Sequence, residues 1–217
     1  MPSSPTVVDY GLGNLYGLTR ALERVGAGSV TVTSDPAAVR GAERLIIPGV
    51  GAFGDGMAGL RERGLLDAVR DVARSGRPVL GICLGMQLLL DEGNEFGRHE
   101  GLAVVPGKTV AFPRPEGERL KVPHVGWNAL RPGPGGWDGT IFTGLPDGAQ
   151  VYFVHSYVAE LADPANALAA TEYGGRTFCS AVRKGRVFGC QFHPEKSGPV
   201  GLKILANFLA LGSGESQ

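Results

Sequence analysis

The 217 residues suffice for one sizeable domain with a buried core, and the chain is read as a single domain, 1–217. With 21 basic against 21 acidic residues the formal net charge is zero, which excludes bulk attraction to nucleic acid or to an anionic membrane. Three cysteines, an odd number without metal-ligand spacing, argue against a disulfide framework and imply no metal site.

Met1 to Ser4 is short and polar, unlike a secretory signal, and no apolar run approaches membrane-spanning length, so a cytoplasmic location is expected. Thr6 to Tyr10 reads as the first strand, and Asn14 caps a helix whose Leu15, Leu18, Leu22 and Val25 recur at helical spacing. Val30 to Thr33 is a second strand, Ser34-Asp35-Pro36 opens a short helix, and Leu45-Ile46-Ile47 is a third strand ending in the loop Pro48-Gly49-Val50-Gly51. Met57 to Arg74 reads as one amphipathic helix ended by Ser75-Gly76, and Pro78 to Ile82 as a short buried strand with a helix beginning near Met86. This alternation predicts an α/β fold, an open and mostly parallel central sheet with helices on both faces and ligands outside the carboxyl ends of the strands. From Pro106 to Pro146 the chain is rich in Pro and Gly. Strand-like runs follow at Val151 to Val158, Leu168 to Thr171, Thr177 to Arg183 and Val187 to Phe192, predicted to be antiparallel additions with hairpin turns at Gly174-Gly175 and Lys184-Gly185. Val200 to Leu211 closes the chain as an amphipathic helix.

Cys83 stands at the strand-to-helix junction, flanked by Gly81 and Gly85 as G-x-C-x-G, the nucleophile-elbow pattern with sulfur in place of a hydroxyl. The helix that begins at once directs its N–H groups and positive dipole end at the sulfur and favours thiolate. The ordinary alternative is a small hydrophobe in a packed turn. A thiolate nucleophile needs a base, and of His99, His124, His155 and His193 only the last has an acid in step, in His193-Pro194-Glu195. At the end of a strand, residues two apart share a face, and Pro194 biases His193 towards an extended conformation. The competing reading of that tripeptide is a surface turn with a solvated carboxylate. His155 has Tyr157 two residues on and no carboxylate, so it reads as a strand-end or core histidine, and His99 as solvated surface; Cys179 and Cys190 read as core. Oxyanion donors are available from the N–H of Leu84 and from the backbone of Gly49-Val50-Gly51. Gly49 to Gly54 also matches G-x-G-x-x-G, and Gly11-Leu12-Gly13 with Asp35 nearly does, but neither has the full dinucleotide context, and no cofactor is implied.

Together GICLGMQLL, PGVG and FHPE resemble the triad-type, or class I, glutamine amidotransferases, and the resemblance spans nearly the whole chain. VDYGLGNL, IPGVGAFGDGM, KVPHVGWN (Lys121 to Asn128), YFVHSY (Tyr152 to Tyr157), TEYGG and FHPEKS are similar to the glutaminase subunits of imidazole glycerol phosphate synthases of histidine biosynthesis. The resemblance implies that Cys83 attacks the glutamine side-chain carbonyl, with His193 as base and Glu195 orienting it, and that Val50, Gly51 and Leu84 serve the oxyanion. It implies that Gly49, Gly51, Gln87, Ser156 and Tyr157 hold glutamine. Asn14, Trp127, Tyr152 and Lys196 would face a (β/α)8-barrel cyclase partner that receives ammonia through an internal tunnel, in a heterodimer. His124 belongs to that neighbourhood as a structural residue, and for Trp127 the alternative is a buried aromatic. Glutaminase in this family is nearly silent until the partner binds its nucleotide, which implies a switch by a peptide flip around Val50. Departures are a short extension before Pro5 and a Pro/Gly-rich insert, Arg131 to Gly139. Other readings are the glutaminase subunit of an anthranilate or aminodeoxychorismate synthase, a non-catalytic regulatory subunit, and a cysteine peptidase or esterase.

Overall fold

The computed structural model describes residues 4–113 and 120–212, so all but Ser4 of the amino-terminal extension, and 114–119 of the Pro/Gly-rich region, lie outside the described residues. The first half runs β1 (Thr6–Val8), α1 (Leu15–Arg24), β2 (Thr31–Thr33), α2 (Pro36–Arg40), β3 (Leu45–Ile47), α3 (Phe53–Glu62), α4 (Leu66–Arg74), β4 (Val79–Ile82) and α5 (Leu84–Leu88). Then come β5 (Glu92–Gly93), β6 (His99–Glu100), β7 (Gly107–Ala111), β8 (His124–Ala129), β9 (Arg131–Pro132), β10 (Gln150–His155), β11 (Tyr157–Leu161), β12 (Ala167–Tyr173), β13 (Arg176–Lys184), β14 (Val187–Cys190) and α6 (Gly198–Ala210).

Strands β2, β1, β3, β4 and β14 are parallel neighbours in that order, and β13, β11 and β7 extend the sheet antiparallel, as the expected architecture required. The inner parallel strands β1, β3, β4 and β14 are buried on both faces, whereas β2 is an exposed edge. Alternate residues therefore enter opposite cores: Val7, Ile46 and Leu80 pack with Leu18 and Leu22 of α1 and Phe208 of α6, whereas Val8, Leu45, Ile47 and Val79 pack with Leu60, Val69 and Val72 of α3 and α4. The caps act as read, since Asn14 Oδ1 accepts from Gly17 N at 3.1 Å and Asp35 Oδ1 from Ala37 N at 2.9 Å. The two hairpin turns join β12 to β13 and β13 to β14. Among the described residues no helix is long and apolar enough to cross a membrane.

Three expectations need correction, and the Pro/Gly-rich region, to which no element was assigned, acquires strands. The helix from Met57 to Arg74 is two helices, because Gly64 at φ 67° ends α3 and Leu65 N returns to Leu60 O at 2.9 Å. The run Val151 to Val158 is two strands in different sheets: among the described residues β10 pairs only with β8, in a separate two-stranded ribbon, and the chain crosses at Ser156 into β11 of the main sheet. The Pro/Gly-rich region holds β7, β8 and β9, and its insert is docked, with β9 paired to β12 and buried Trp137 donating through Nε1 to Leu168 O at 3.0 Å. Finally, β14 ends at Cys190, so His193 and Glu195 do not share a strand face; Pro194–Lys196 is a 3-10 turn.

Candidate active site

Three adjacent parallel strands converge at their carboxyl ends, where β3 delivers Pro48 to Gly51, β4 delivers Cys83 and β14 leads to His193. Cys83 has φ 53° and ψ −108°, a conformation that costs a non-glycine residue roughly 1–3 kcal/mol. Its N–H still extends the ladder to Cys190 O at 2.7 Å, while its carbonyl accepts from Met86 N and Gln87 N at the start of α5. The flanking glycines are demanded by contact: a Cβ on Gly85 would lie 1.9 Å from Ile47 O, and one on Gly81 would lie 2.6 Å from Gly85 O. The helix can then sit directly on the ends of β3 and β4, turning the sulfur outward.

His193 is held extended by the following proline, at φ −101° and ψ 99°. The 3-10 turn folds Glu195 back onto it, and His193 Nδ1 lies 2.9 Å from Glu195 Oε1 with both side chains almost fully buried. Burial alone would lower the His193 pKa, but neighbouring Cys83 and Glu195 raise it to about 9. Nε2 has no aligned hydrogen-bond partner among the described residues, so the influence of Cys83 is one of proximity across the cavity that both line. Sγ itself lies 3.9 Å from Val154 O and 3.8 Å from Gln191 Nε2.

The cavity, about 250 Å³, is lined by Val50, Gly51, Cys83, Leu84, Gln87, Glu95, Val154, His155, Ser156, Tyr157 and His193. The expected oxyanion and glutamine residues therefore meet around the thiol, except Gly49, which lies behind the loop where a Cβ would strike Tyr10 Oη at 2.4 Å. Gly51 is at φ 106°, open to glycine and strained for other residues. Gln87 Nε2 donates to Gln191 Oε1 at 3.0 Å and to Tyr157 O at 3.3 Å, so it braces the wall formed where the chain crosses at Ser156.

Three contributors escaped the sequence reading. Glu95 sets a carboxylate at the cavity wall, anchored where Phe53 N donates to its Oε2 at 2.8 Å; one acid among several in the polar stretch 91–100, it carried no signal of its own. Gln191 is fully buried between Gln87 and the sulfur, and a glutamine inside an otherwise apolar strand end was the available clue. Ser197 Oγ donates to His193 O at 2.7 Å and accepts from Tyr152 N at 3.0 Å, pinning the turn to β10; it closes the FHPEKS run, which gave it no role of its own.

His99 is half-buried in β6 and does not line the cavity. Cys190 is buried and Cys179 nearly so; burial pushes the Cys179 thiol up to about 12 and raises that of Cys190. Trp127 is 54% exposed, which overturns the buried alternative. It stands edge-on to Tyr152 at 6.0 Å, and Lys196 Nζ lies 5.9 Å from the centroid of the Tyr152 ring. Asn14 shares a small crevice with His193 and Glu195, so the four expected interface residues flank the site.

The family model for glutamine amidotransferase class-I matches residues 6–211. Imidazole glycerol phosphate synthase subunit HisH of Syntrophotalea carbinolica is 50% identical over 208 residues, covering 93% of this chain and 97% of that protein. The protein of the same name from Geobacter sulfurreducens is 49% identical over 209 residues, covering 93% and 96%. Among solved structures, PurLQS from Thermotoga maritima superposes with a TM-score of 0.72 at 21% identity, covering 97% of this chain and 99% of that chain. A glutamine amidotransferase crystal structure gives 0.70 at 22%, covering 95% and 97%.

Proposed function

The chain belongs to the class-I glutamine amidotransferase family, and from that premise we propose that its 217 residues act as one domain, the glutaminase subunit of an imidazole glycerol phosphate synthase. The observation that carries the chemistry is that a strained elbow cysteine and the histidine of a buried His–Glu pair open onto one small cavity. Cys83 Sγ attacks the side-chain carbonyl of glutamine, while His193 takes the thiol proton and returns it to the departing ammonia. Glu195, bound to Nδ1, fixes the tautomer that leaves Nε2 for this exchange. Backbone N–H groups around Val50 and Gly51, with that of Leu84, receive the negative oxygen of the tetrahedral intermediate. Water then cleaves the γ-glutamyl thioester, releasing glutamate and restoring the thiol.

Gly49 shapes the loop, Gly51, Gln87, Ser156 and Tyr157 enclose the substrate, and the Glu95 carboxylate receives its α-ammonium group. Ammonia passes to a (β/α)8-barrel cyclase subunit, which docks on the surface carrying Asn14, Trp127, Tyr152 and Lys196 and uses the ammonia in forming imidazole glycerol phosphate for L-histidine. The exposed aromatic and cation beside the site support that placement. The assembly acts in the cytoplasm. The test is co-purification with the barrel subunit followed by ammonia release from glutamine, with and without the nucleotide substrate. Stimulated release is expected, and a chain that neither binds the barrel subunit nor hydrolyses glutamine contradicts the reading.

A further inference from the structure

Two histidines outside the proposed triad are both buried and face each other. His124 on β8 and His155 on β10 are antiparallel register partners, so their side chains leave the same face of the ribbon. His124 Nδ1 lies 2.9 Å from His155 Nε2, His155 Nδ1 lies 2.9 Å from Tyr157 O, and His124 Nε2 lies 2.8 Å from Asn128 Oδ1. Rings fix them from the sides: His124 stacks on Tyr173 at 3.9 Å and 19°, and His155 packs against Phe178 at 5.1 Å. The Tyr157 carbonyl at the end of this chain is the one that accepts from Gln87. A continuous polar path thus runs from Asn128 through both imidazoles and the Tyr157 carbonyl to Gln87, and onward through Gln191 to Cys83 Sγ.

Proton counting gives this path a direction. A backbone carbonyl can only accept, so His155 must carry its proton on Nδ1, which leaves Nε2 a bare lone pair when the ring is neutral. His124 must then donate from Nδ1, and the shortfall of one proton falls at its Nε2, opposite Asn128. Turning the Asn128 amide nitrogen inward meets it only by giving up the bond that Asn128 Nδ2 donates to Glu172 O at 3.0 Å. Burial, foremost, together with the neighbouring His124 and His193, keeps His155 neutral, its pKa lowered to about 4 although the bond to Tyr157 opposes this. Burial also lowers that of His124, against the bond to Asn128.

We propose that His124 and His155 are positioning residues for glutamine: by fixing the Tyr157 carbonyl they hold the 155–157 wall and Gln87 in register with the thiol. The proposal rests on the glutaminase reading. It concerns substrate binding, because the Tyr157 carbonyl and Gln87 belong to the wall of the cavity and the path reaches the thiol only through the 3.8 Å contact of Gln191 Nε2, whereas proton transfer belongs to His193. The side-chain nitrogen of Asn occupies the position of Nδ1 and that of Gln the position of Nε2, so the two amides separate the proposal from packing.

The experiment measures glutamine hydrolysis by the complete synthase, with its barrel subunit and nucleotide substrate, for the wild type, His155→Gln, His155→Asn and His124→Phe, alongside ¹⁵N NMR of histidine tautomers in the wild type. His155→Gln, which loses the donor to Tyr157, should raise KM for glutamine about tenfold with kcat changed less than about threefold, as expected for one broken hydrogen bond in substrate positioning. His155→Asn should restore KM to within about threefold of wild type, and His124→Phe, which keeps a ring on Tyr173, should raise KM in the same direction as His155→Gln. The NMR spectrum should show Nδ1-protonated tautomers for both rings. An unchanged KM in His155→Gln, equal damage from Asn and Gln, or an Nε2-protonated His155 overturns the proposal. A wild-type complex that releases no ammonia from glutamine would defeat the glutaminase reading instead, and the tautomers would still test the pair.

Discussion

At the residue scale, the group whose protonation shapes the proposed reaction is His193. Burial works against its charge, but Cys83 and Glu195 raise its pKa to about 9 from an ordinary 6.5. Two consequences follow with definite signs. The imidazolium that protonates departing ammonia is lost as pH rises through about 9, so kcat/KM for glutamine in the assembled synthase should fall on that alkaline limb. Glu195→Gln removes one of the two raising influences and should shift the limb to lower pH, with a loss of activity of roughly 10²–10⁴-fold as for a misoriented base; an unmoved limb would show that Glu195 does not tune His193. The linked stability runs the same way: a folded-state pKa above the unfolded value stabilises fully below about 6.5, and that contribution disappears as pH rises through about 9. The unfolding free energy lost on His193→Gln should therefore be largest at the acid end of that window. His155 has the opposite sign, since its folded pKa of about 4 lies below the unfolded value, so its contribution is lost as pH falls from about 6.5 through about 4.

At the element scale, the elbow depends on close approach of α5 to the end of β3. Gly85→Ala would set a methyl group 1.9 Å from Ile47 O, a backbone atom that cannot swing aside. It should destabilise the fold by about 3 kcal/mol, the upper part of the usual overpacking cost, measurable by denaturant unfolding. Gly51→Val probes the neighbouring loop differently, for space is available there and only the φ of 106° resists a side chain. It should leave stability within about 1–3 kcal/mol of wild type, the cost of one strained residue, while reducing stimulation of glutaminase by the partner; undiminished stimulation would remove Gly51 from the switch. The parallel half of the fold was legible because β1, β3 and β4 are short, largely apolar runs next to Pro5, Pro48 and Pro78, and each signal is local. Cys83 and His193 were legible for the same reason, through motifs of a few residues. The crossing at Ser156 was not, because Val151 to Val158 has one continuous strand-like pattern, and its division between two sheets is decided by pairing with β8 and β7 far away in sequence. The His193–Glu195 contact was anticipated for the wrong geometric reason: a 3-10 turn brings the side chains together where a shared strand face had been expected. Glu95 and Gln191 could not be assigned before the fold existed, since nothing near them in the chain shows that they converge on Cys83.

For the whole molecule, the proposed site sits beside an exposed strip in which Trp127, Tyr152 and Lys196 touch in sequence. An indole left 54% exposed has the composition of an interface anchor. Trp127→Ala should weaken association with the barrel subunit by about 2 kcal/mol, readable by titration calorimetry, while thermal stability of the isolated chain changes little. In the proposed division of labour within the synthase, this chain makes ammonia at Cys83 and its partner consumes it. The measurement that bears most directly on this is imidazole glycerol phosphate formation by the reconstituted complex carrying Cys83→Ala, assayed once with glutamine and once with ammonium salt as the nitrogen source. Glutamine-dependent synthesis should fall to background while ammonium-dependent synthesis stays at the wild-type level; glutamine-dependent synthesis that survives the substitution would contradict the account.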